Sequence, residues 1–212
     1  MNWLFEIQKH ADSPLSTQML LTILAAYSRP YDKINKLVQQ GQLLQLRKGL
    51  YLASGHLQLQ APEPFLIANH LYGPSYVSLD GALFHWGLIP ERVVEVTSVT
   101  PKTTKVFDTP QGVFSFTHLP MPYYSYGIQT VDLRPRQSVL MASPEKSLCD
   151  KIATTSGLQL RSRNAVQAYL FEDLRMEAGD LKQFDRHEMT SWLPGCPKQN
   201  SLHHLLQFLA SL

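Results

Sequence analysis

Residues 30–52 of the chain read PYDKINKLVQQGQLLQLRKGLYL, and they contain the strongest signals for the architecture of the first part of the protein. Its first half predicts a helix over residues 30–40, because apolar side chains recur at the spacing of one helix face: Ile34, Leu37 and Val38. Gly41 follows the pattern and is typical of the residue after a helix. The opposite face of this helix carries polar side chains that can donate hydrogen bonds.

The second half of the stretch predicts a hairpin. Two apolar segments, residues 43–46 and 50–52, flank the triplet Arg47-Lys48-Gly49. Glycine readily adopts the positive φ that a tight turn between two strands requires. We therefore expect a hairpin whose tip carries positive charge.

Two further helices precede this stretch. A helical stripe over residues 3–11 ends at Ser13-Pro14, and a second stripe follows Ser16: Met19, Leu20, Ile23 and Leu24. Three helices followed by a basic-tipped hairpin is the order of a winged helix-turn-helix, whose last helix enters the DNA major groove and whose hairpin contacts phosphate. The sequence predicts such a DNA-binding domain over residues 1–55.

The composition favours a folded protein and limits how it can bind nucleic acid. Of 212 residues, 44% are hydrophobic and 17% are charged, which argues against extended disorder. A net charge of +2 is too small to bind nucleic acid through total charge alone. Residues 28–52, however, hold five basic residues and one acidic residue, so a charge of 5 − 1 = +4 is concentrated there.

A boundary is predicted within residues 54–64, where glycine and proline interrupt a polar stretch. Beyond it, residues 62–212 predict an α+β domain with a central, mainly antiparallel sheet and late helices. The predicted helices before the sheet are 65–71 and 82–86, and the predicted strands are 93–100, 105–108, 113–118, 128–133 and 138–141. Four predicted helices close the chain: 144–154, 162–172, 178–192 and 201–212.

Motifs of several enzyme classes are missing from the sequence. It contains no Gly-x-Ser-x-Gly elbow, P-loop or dinucleotide-binding glycine motif. Cys149 and Cys196 are far apart, and no two of the eight histidines are spaced i,i+4, so neither a disulfide framework nor a zinc site is predicted. We expect no catalytic residue, metal or cofactor, a cytoplasmic protein, and neither a signal peptide nor a membrane span.

Glu145 is the strongest candidate for catalysis. It follows a predicted strand and precedes Lys146, a pairing similar to that of metal-dependent nucleases. Those enzymes separate the acid and the lysine by one residue so that both point to the same side of a strand, whereas here the two are adjacent. Ser143 as an N-cap, with Pro144 and Glu145 in the first helical turn, explains the segment instead. A nuclease that depends on Glu145 and divalent ions ranks last among our hypotheses.

Several side chains of the second part are candidates for a surface that docks a protein or RNA partner. The basic candidates are Lys102, Lys105, Arg161 and Arg163, and the aromatic ones are Tyr123, Tyr124 and Tyr126. Each is also explained as solvated charge or as core packing.

Two groups of residues resemble the AbiEi family of type IV toxin-antitoxin antitoxins. The first is INKLVQQG at residues 34–41 with LQLRKGLY at residues 44–51. The second is IANHLYGPSYVSLDGAL at residues 67–83, with GLIPE at 87–91, VTSVT at 96–100 and ASPEKSLCD at 142–150. The resemblance covers residues 15–175, and the second group is the more specific because winged helices are common.

This resemblance implies a bacterial antitoxin and transcriptional repressor, encoded beside a nucleotidyltransferase-like toxin that it neutralises. The family's N-terminal domain binds inverted repeats in the promoter of its own operon. These repeats are double-stranded DNA whose symmetry suits a homodimer. The family's C-terminal domain contributes to neutralisation of the toxin. The positions matched to DNA contact are Arg29, Tyr31, Lys33, Lys36, Arg47 and Lys48. Gln39-Gln40 stand where relatives tend to have basic residues, so we expect weaker DNA affinity or more dependence on dimerisation. The alternative is a protein-interaction module that binds a toxin directly and whose winged helix is structural.

Overall fold

The computed structural model describes residues 3–55, 57, 60–91 and 94–212. Its first part consists of short helices and short strands. In chain order these are α1 (Trp3–Lys9), β1 (Leu15–Ser16), α2 (Thr17–Ile23), α3 (Pro30–Gln39), β2 (Leu43–Arg47) and β3 (Leu50–Ala53). The strands form one antiparallel sheet in the order β1-β3-β2. The three predicted helices and the hairpin are confirmed with small shifts at their ends. Strand β1 was not predicted, because two residues are too few to show a period of two.

Local signals explain where these elements begin and end. The Ser16 hydroxyl accepts a hydrogen bond of 3.1 Å from the Met19 N–H and caps α2. Pro30 occupies the first turn of α3, where no N–H is needed. Gly49 has a φ of +86° at the hairpin tip, a value that favours glycine over residues with a side chain.

In the described residues of the second part, six strands form the central sheet. After α4 (Pro64–Leu71) come β4 (Tyr76–Val77), α5 (Leu79–His85), β5 (Val96–Thr100), β6 (Lys105–Thr109), β7 (Gly112–His118), β8 (Ile128–Arg134) and β9 (Gln137–Ala142). Their order is β6-β7-β5-β4-β9-β8. Neighbouring strands are antiparallel except for the parallel pairs β4–β9 and β5–β7. The predicted mixed α+β class with a mainly antiparallel sheet is confirmed. Val93, the predicted start of β5, lies outside the described residues.

The late helices pack on one face of this sheet. They are α6 (Pro144–Thr154), α7 (Arg163–Ala168), α8 (Ala178–Leu181), α9 (Arg186–Trp192) and α10 (Gln199–Leu209), and a wider helical turn over Tyr169–Asp173 continues α7. The prediction of a single helix over residues 178–192 was wrong. Asp185 separates α8 from α9, because its carboxylate accepts hydrogen bonds from the N–H groups of His187 (2.9 Å) and Glu188 (3.0 Å) and so begins a new helix.

The two parts of the chain share a hydrophobic core. Leu46, Leu50 and Leu52 of the hairpin are buried in one cluster with Phe114 and Met141 of the six-stranded sheet, and α4 completes that cluster. One face of the hairpin therefore lies against the second part. Within the predicted boundary at residues 54–64, His56, Gln58 and Leu59 lie outside the described residues.

Polar contacts reinforce this packing at two places. The Arg47 Nε donates a 2.7 Å hydrogen bond to the Leu71 carbonyl at the end of α4. In the turn between β8 and β9, Arg136 donates to the Lys9 carbonyl (2.9 Å), and its Nε lies 3.2 Å from the Asp12 carboxylate. Among the described residues, no helix is both long enough and apolar enough to cross a membrane.

Candidate nucleic-acid interface

Helix α3 is held with one face in the core and the other in solvent. Ile34 and Leu37 are almost completely buried among residues of α1 and α2 and of the β1-β3-β2 sheet. Tyr31 is 62% exposed, and the other exposed side chains of α3 are polar: Asp32, Asn35, Lys36 and Gln39. The apolar stripe of the sequence thus fixes which side chains a ligand can reach.

The basic candidates on and beside α3 differ in their availability. Lys33 is half-buried, with its ammonium 4.4 Å from the centre of the Trp3 ring and 5.2 Å from that of Tyr27, so cation–π contacts hold it toward α1. An Arg29 nitrogen lies 3.9 Å from the Asp32 carboxylate, and both side chains are exposed. Lys36 forms no ion pair with any residue that the structure describes, so its charge is available to a ligand.

The tip of the hairpin β2–β3 carries the next two candidates. Lys48 is exposed and forms no ion pair within the described chain. Arg47 is also exposed, but its guanidinium donates to the carbonyls of Leu71 and, at 3.1 Å, of Lys48. Since a guanidinium has five N–H groups, Arg47 keeps donors for a ligand while it fixes the hairpin against α4.

Lys102 and Lys105 lie over Tyr72, the residue after the one whose carbonyl accepts from Arg47. Their ammonium groups are 5.3 Å and 5.6 Å from the centre of the Tyr72 ring, and that of Lys105 is 4.7 Å from the centre of Phe107. Lys102 also donates to the Gly73 carbonyl at 2.6 Å. Tyr72 follows Leu71, whose carbonyl accepts from Arg47, so one short segment joins these lysines to the hairpin.

The predicted docking residues do not all lie together on one surface of the structure. Arg161 donates to Gln159, and Arg163 lies 5.7 Å from the centre of the Phe208 ring on α10. Within the described ranges, no contact links this arginine pair to Lys102 and Lys105. The expectation that Tyr123 lies on a docking face was wrong, because its side chain is completely buried in the second part.

No protein-family model matches this chain, and no curated protein matches it. The resemblance to AbiEi antitoxins stays a prediction made from the sequence.

A buried polar cluster, which sequence reasoning missed, lies under α6. Lys146 and Asp150 form an ion pair with no exposed surface on either side chain. The Tyr76 hydroxyl accepts from the Lys146 ammonium (2.9 Å) and donates to Asp150 (2.9 Å), and the Ser78 hydroxyl donates to the same carboxylate (2.8 Å). The Lys146 ammonium lies 3.9 Å from the centre of the Tyr123 ring. Burial, and then the Asp150 carboxylate, raises the pKa of Tyr76 well above its ordinary value.

This cluster connects α6 to the sheet. With neither charge exposed, its visible role is to fix the position of α6. The sequence contains a signal of this pair, since Lys146 and Asp150 are spaced i,i+4 on the helix that also buries Cys149.

Glu145 is held by hydrogen bonds between two helices. Its carboxylate accepts from the Ser143 hydroxyl (2.9 Å) and from the Asp185 N–H (3.1 Å), which joins the start of α6 to that of α9. The Ser143 hydroxyl also caps α6 by accepting from the Lys146 N–H. In the part of the chain that the structure describes, no three His, Cys, Asp or Glu residues are grouped to hold a metal ion.

Proposed function

We propose that this protein is a sequence-specific DNA-binding repressor whose first part is a winged helix-turn-helix. In this proposal α3 is the recognition helix, and the hairpin β2–β3 is the wing. The observation that carries it is the exposed polar face of α3, whose orientation the core fixes, on the same small unit as a hairpin tipped by Lys48. The element order α1-β1-α2-α3-β2-β3 and its three-stranded sheet also support it.

The chemistry of the two elements suits different parts of a duplex. A major groove of about 12 Å admits an α-helix, so α3 can present Lys36 and its neighbouring amides to base edges. Lys48 on the wing suits the phosphate backbone, where a cation contributes affinity without reading sequence. The local charge of +4 in residues 28–52 favours this docking, although the net charge of the chain is small.

The resemblance to AbiEi antitoxins extends the proposal to the biological role. On that basis the DNA is an inverted repeat in the protein's own promoter, bound by a homodimer. The partner is a nucleotidyltransferase-like toxin that the protein neutralises, and the chain itself has no catalytic role. The residues that support this step are those of the second part at 67–83 and 142–150.

The test is binding of the full chain to a fluorescent fragment of its own upstream region, with an unrelated duplex for comparison, over a series of salt concentrations. We expect preference for the upstream fragment and a steep fall of affinity with salt. Lys48→Ala should reduce the slope of log K against log salt by about 1, because it removes one phosphate-neutralising charge, whereas Lys36→Ala should reduce the preference for the upstream fragment. Lys182→Ala, at an exposed lysine after α8, is the control and should leave the slope unchanged. Equal, weak binding to both duplexes would contradict the proposal.

A second candidate function is direct binding of a protein toxin, and the exposed Lys102 and Lys105, which lie over the partly buried Tyr72, favour it. The test uses point variants of the full chain, because deletion of the first part would expose the apolar surface that the hairpin covers. The double variant Lys36→Ala, Lys48→Ala should still capture the toxin, and the double variant Lys102→Glu, Lys105→Glu should not. This pair of results would establish the function. Capture of the toxin by both double variants would contradict it.

A further inference from the structure

Asn35 and Gln39 form a pair of exposed amides on α3. They are spaced i,i+4, so their side chains leave the helix on the same side, one turn apart. Both are exposed, and neither side chain forms a hydrogen bond with another described residue. Their donors and acceptors are therefore free for a ligand that docks on this face.

The charge on this face favours base edges over phosphate. Asp32 and Lys36 lie beside the amide pair and carry opposite charges, so they add almost no net charge to the centre of the face. A carboxylate repels phosphate but can accept from the amino group of a base. The unpaired cations nearer the edge of the unit, such as Lys48 on the hairpin tip, are better suited to the backbone.

We propose that Asn35 and Gln39 recognise adenines in the major groove, so that each operator half-site contains A·T pairs at the positions facing them. This inference rests on the proposed function and names the kind of sequence that α3 selects. An Asn or Gln amide can donate to N7 and accept from the N6 amino group of adenine at the same time, a pairing that other bases do not offer.

The spacing of the amides agrees with the geometry of DNA. Four residues of an α-helix rise about 6 Å, and base pairs are about 3.4 Å apart, so the two amides address bases about two pairs apart. Tyr31 lies one turn before Asn35 and is 62% exposed, which places an apolar ring where it can contact a thymine methyl group.

The experiment uses the full chain and the duplex segment that it protects in its own upstream region. Replacing the adenines of that segment with 7-deazaadenine removes the N7 acceptor and preserves base pairing. We expect wild-type affinity to fall by about 5-fold to 150-fold for each adenine that an amide contacts. Asn35→Ala with Gln39→Ala should lose a comparable factor on the unmodified duplex and become insensitive to the modified base.

Two controls separate recognition of bases from other effects. The amide variants remove no charge, so their salt slope should equal that of the wild type, whereas Lys48→Ala should reduce it. Asn164→Ala removes an exposed helix amide of α7 in the second part and should behave like the wild type in every assay. Both variants should retain wild-type helicity, because alanine is a better helix former than asparagine or glutamine.

The outcomes distinguish this inference from the proposed function. Two results would overturn the inference and leave the repressor proposal standing. In the first, the wild type binds its upstream region specifically, but 7-deazaadenine does not change its affinity. In the second, the double variant Asn35→Ala, Gln39→Ala binds that region as tightly as the wild type. Failure of the wild type to distinguish its upstream region from an unrelated duplex would overturn both.

Discussion

Lys146 and Asp150 show how two residues position a whole helix. Each is completely buried, and each finds its opposite charge one turn away in α6. Tyr76 and Ser78, from the segment around β4, complete the hydrogen bonds of the carboxylate. A buried charge is tolerated only where such partners surround it, so these residues depend strongly on each other.

Removing one member of this pair should destabilise the protein strongly. Lys146→Met leaves the Asp150 carboxylate buried without its cation, and we expect the free energy of unfolding to fall by about 3–5 kcal/mol. Chemical denaturation measures this loss, and Lys182→Met at an exposed site should change stability by less than about 0.5 kcal/mol. Lys146→Met with Asp150→Leu should recover part of the loss. A loss below about 1 kcal/mol in the single variant would contradict the structural role of the pair.

The buried Tyr169 and the partly buried Tyr124 predict a loss of stability in alkali. Burial raises the pKa of Tyr124 and of Tyr169 to about 12, against about 10 in an unfolded chain. The native state therefore holds these protons more tightly. The stability that the native state gains from these two protonated tyrosines is complete below pH 10 and is lost as the pH rises toward 12.

Thermal unfolding between pH 8 and 11, with tyrosinate absorbance followed in parallel, measures this effect. Tyr169→Phe should flatten the alkaline fall in melting temperature, whereas Tyr31→Phe at an exposed site should not. Ordinary titration of every tyrosine near pH 10 in the native state would contradict the prediction.

At the scale of elements, helix ends depend on single capping groups. The continuous predicted helix over residues 178–192 divides because the Asp185 carboxylate captures the first N–H groups of α9. A periodic apolar pattern does not reveal this competition, since α8 and α9 both place apolar residues in the same core.

Asp185→Ala should destabilise the protein by about 1 kcal/mol, because it leaves two N–H groups at the start of α9 without an acceptor. Denaturant titration measures the loss. Asp185→Asn is the matched control, since asparagine caps helices about as well and should change stability little. Equal effects of the two substitutions would indicate that charge, and not capping, is what Asp185 provides.

At the scale of the whole molecule, the hairpin belongs to both parts of the chain. Its tip carries Lys48, whereas Leu46, Leu50 and Leu52 pack on the six-stranded sheet and α4. Arg47 and Arg136 add polar contacts on either side of this packing. The candidate DNA-binding surface is thereby attached to the second part through a shared core.

Weakening this shared core should destabilise both parts of the chain. Leu50→Ala should lower stability by about 2–5 kcal/mol and accelerate hydrogen exchange in β9 as well as in α3, because Leu50 is buried with residues of β9. Leu140→Ala, at a side chain of β9 that is 46% exposed, should have a much smaller effect. Faster exchange confined to residues 3–53 would show that the two parts open independently.

Features that depend on neighbours along the chain could be predicted from the order of the residues alone. The apolar spacing of Ile34, Leu37 and Val38 established α3 and its exposed face, and a basic triplet between apolar segments established the hairpin. Helix α6 has the predicted limits of residues 144–154, because Ser143 and Pro144 signal its start. Period, caps and turn residues act within about one turn or one strand, so a single chain segment contains them in full.

Which polar side chains are available to a ligand depends on tertiary contacts. Lys33 is held against Trp3, Arg47 is tied to Leu71, and Tyr123 is buried, although each resembles an exposed residue in the sequence. The Lys146–Asp150 pair depends in the same way on Tyr76, some 70 residues away. The physical reason is that segments distant along the chain determine which side chains are buried and which are paired. No local pattern of residues encodes those contacts.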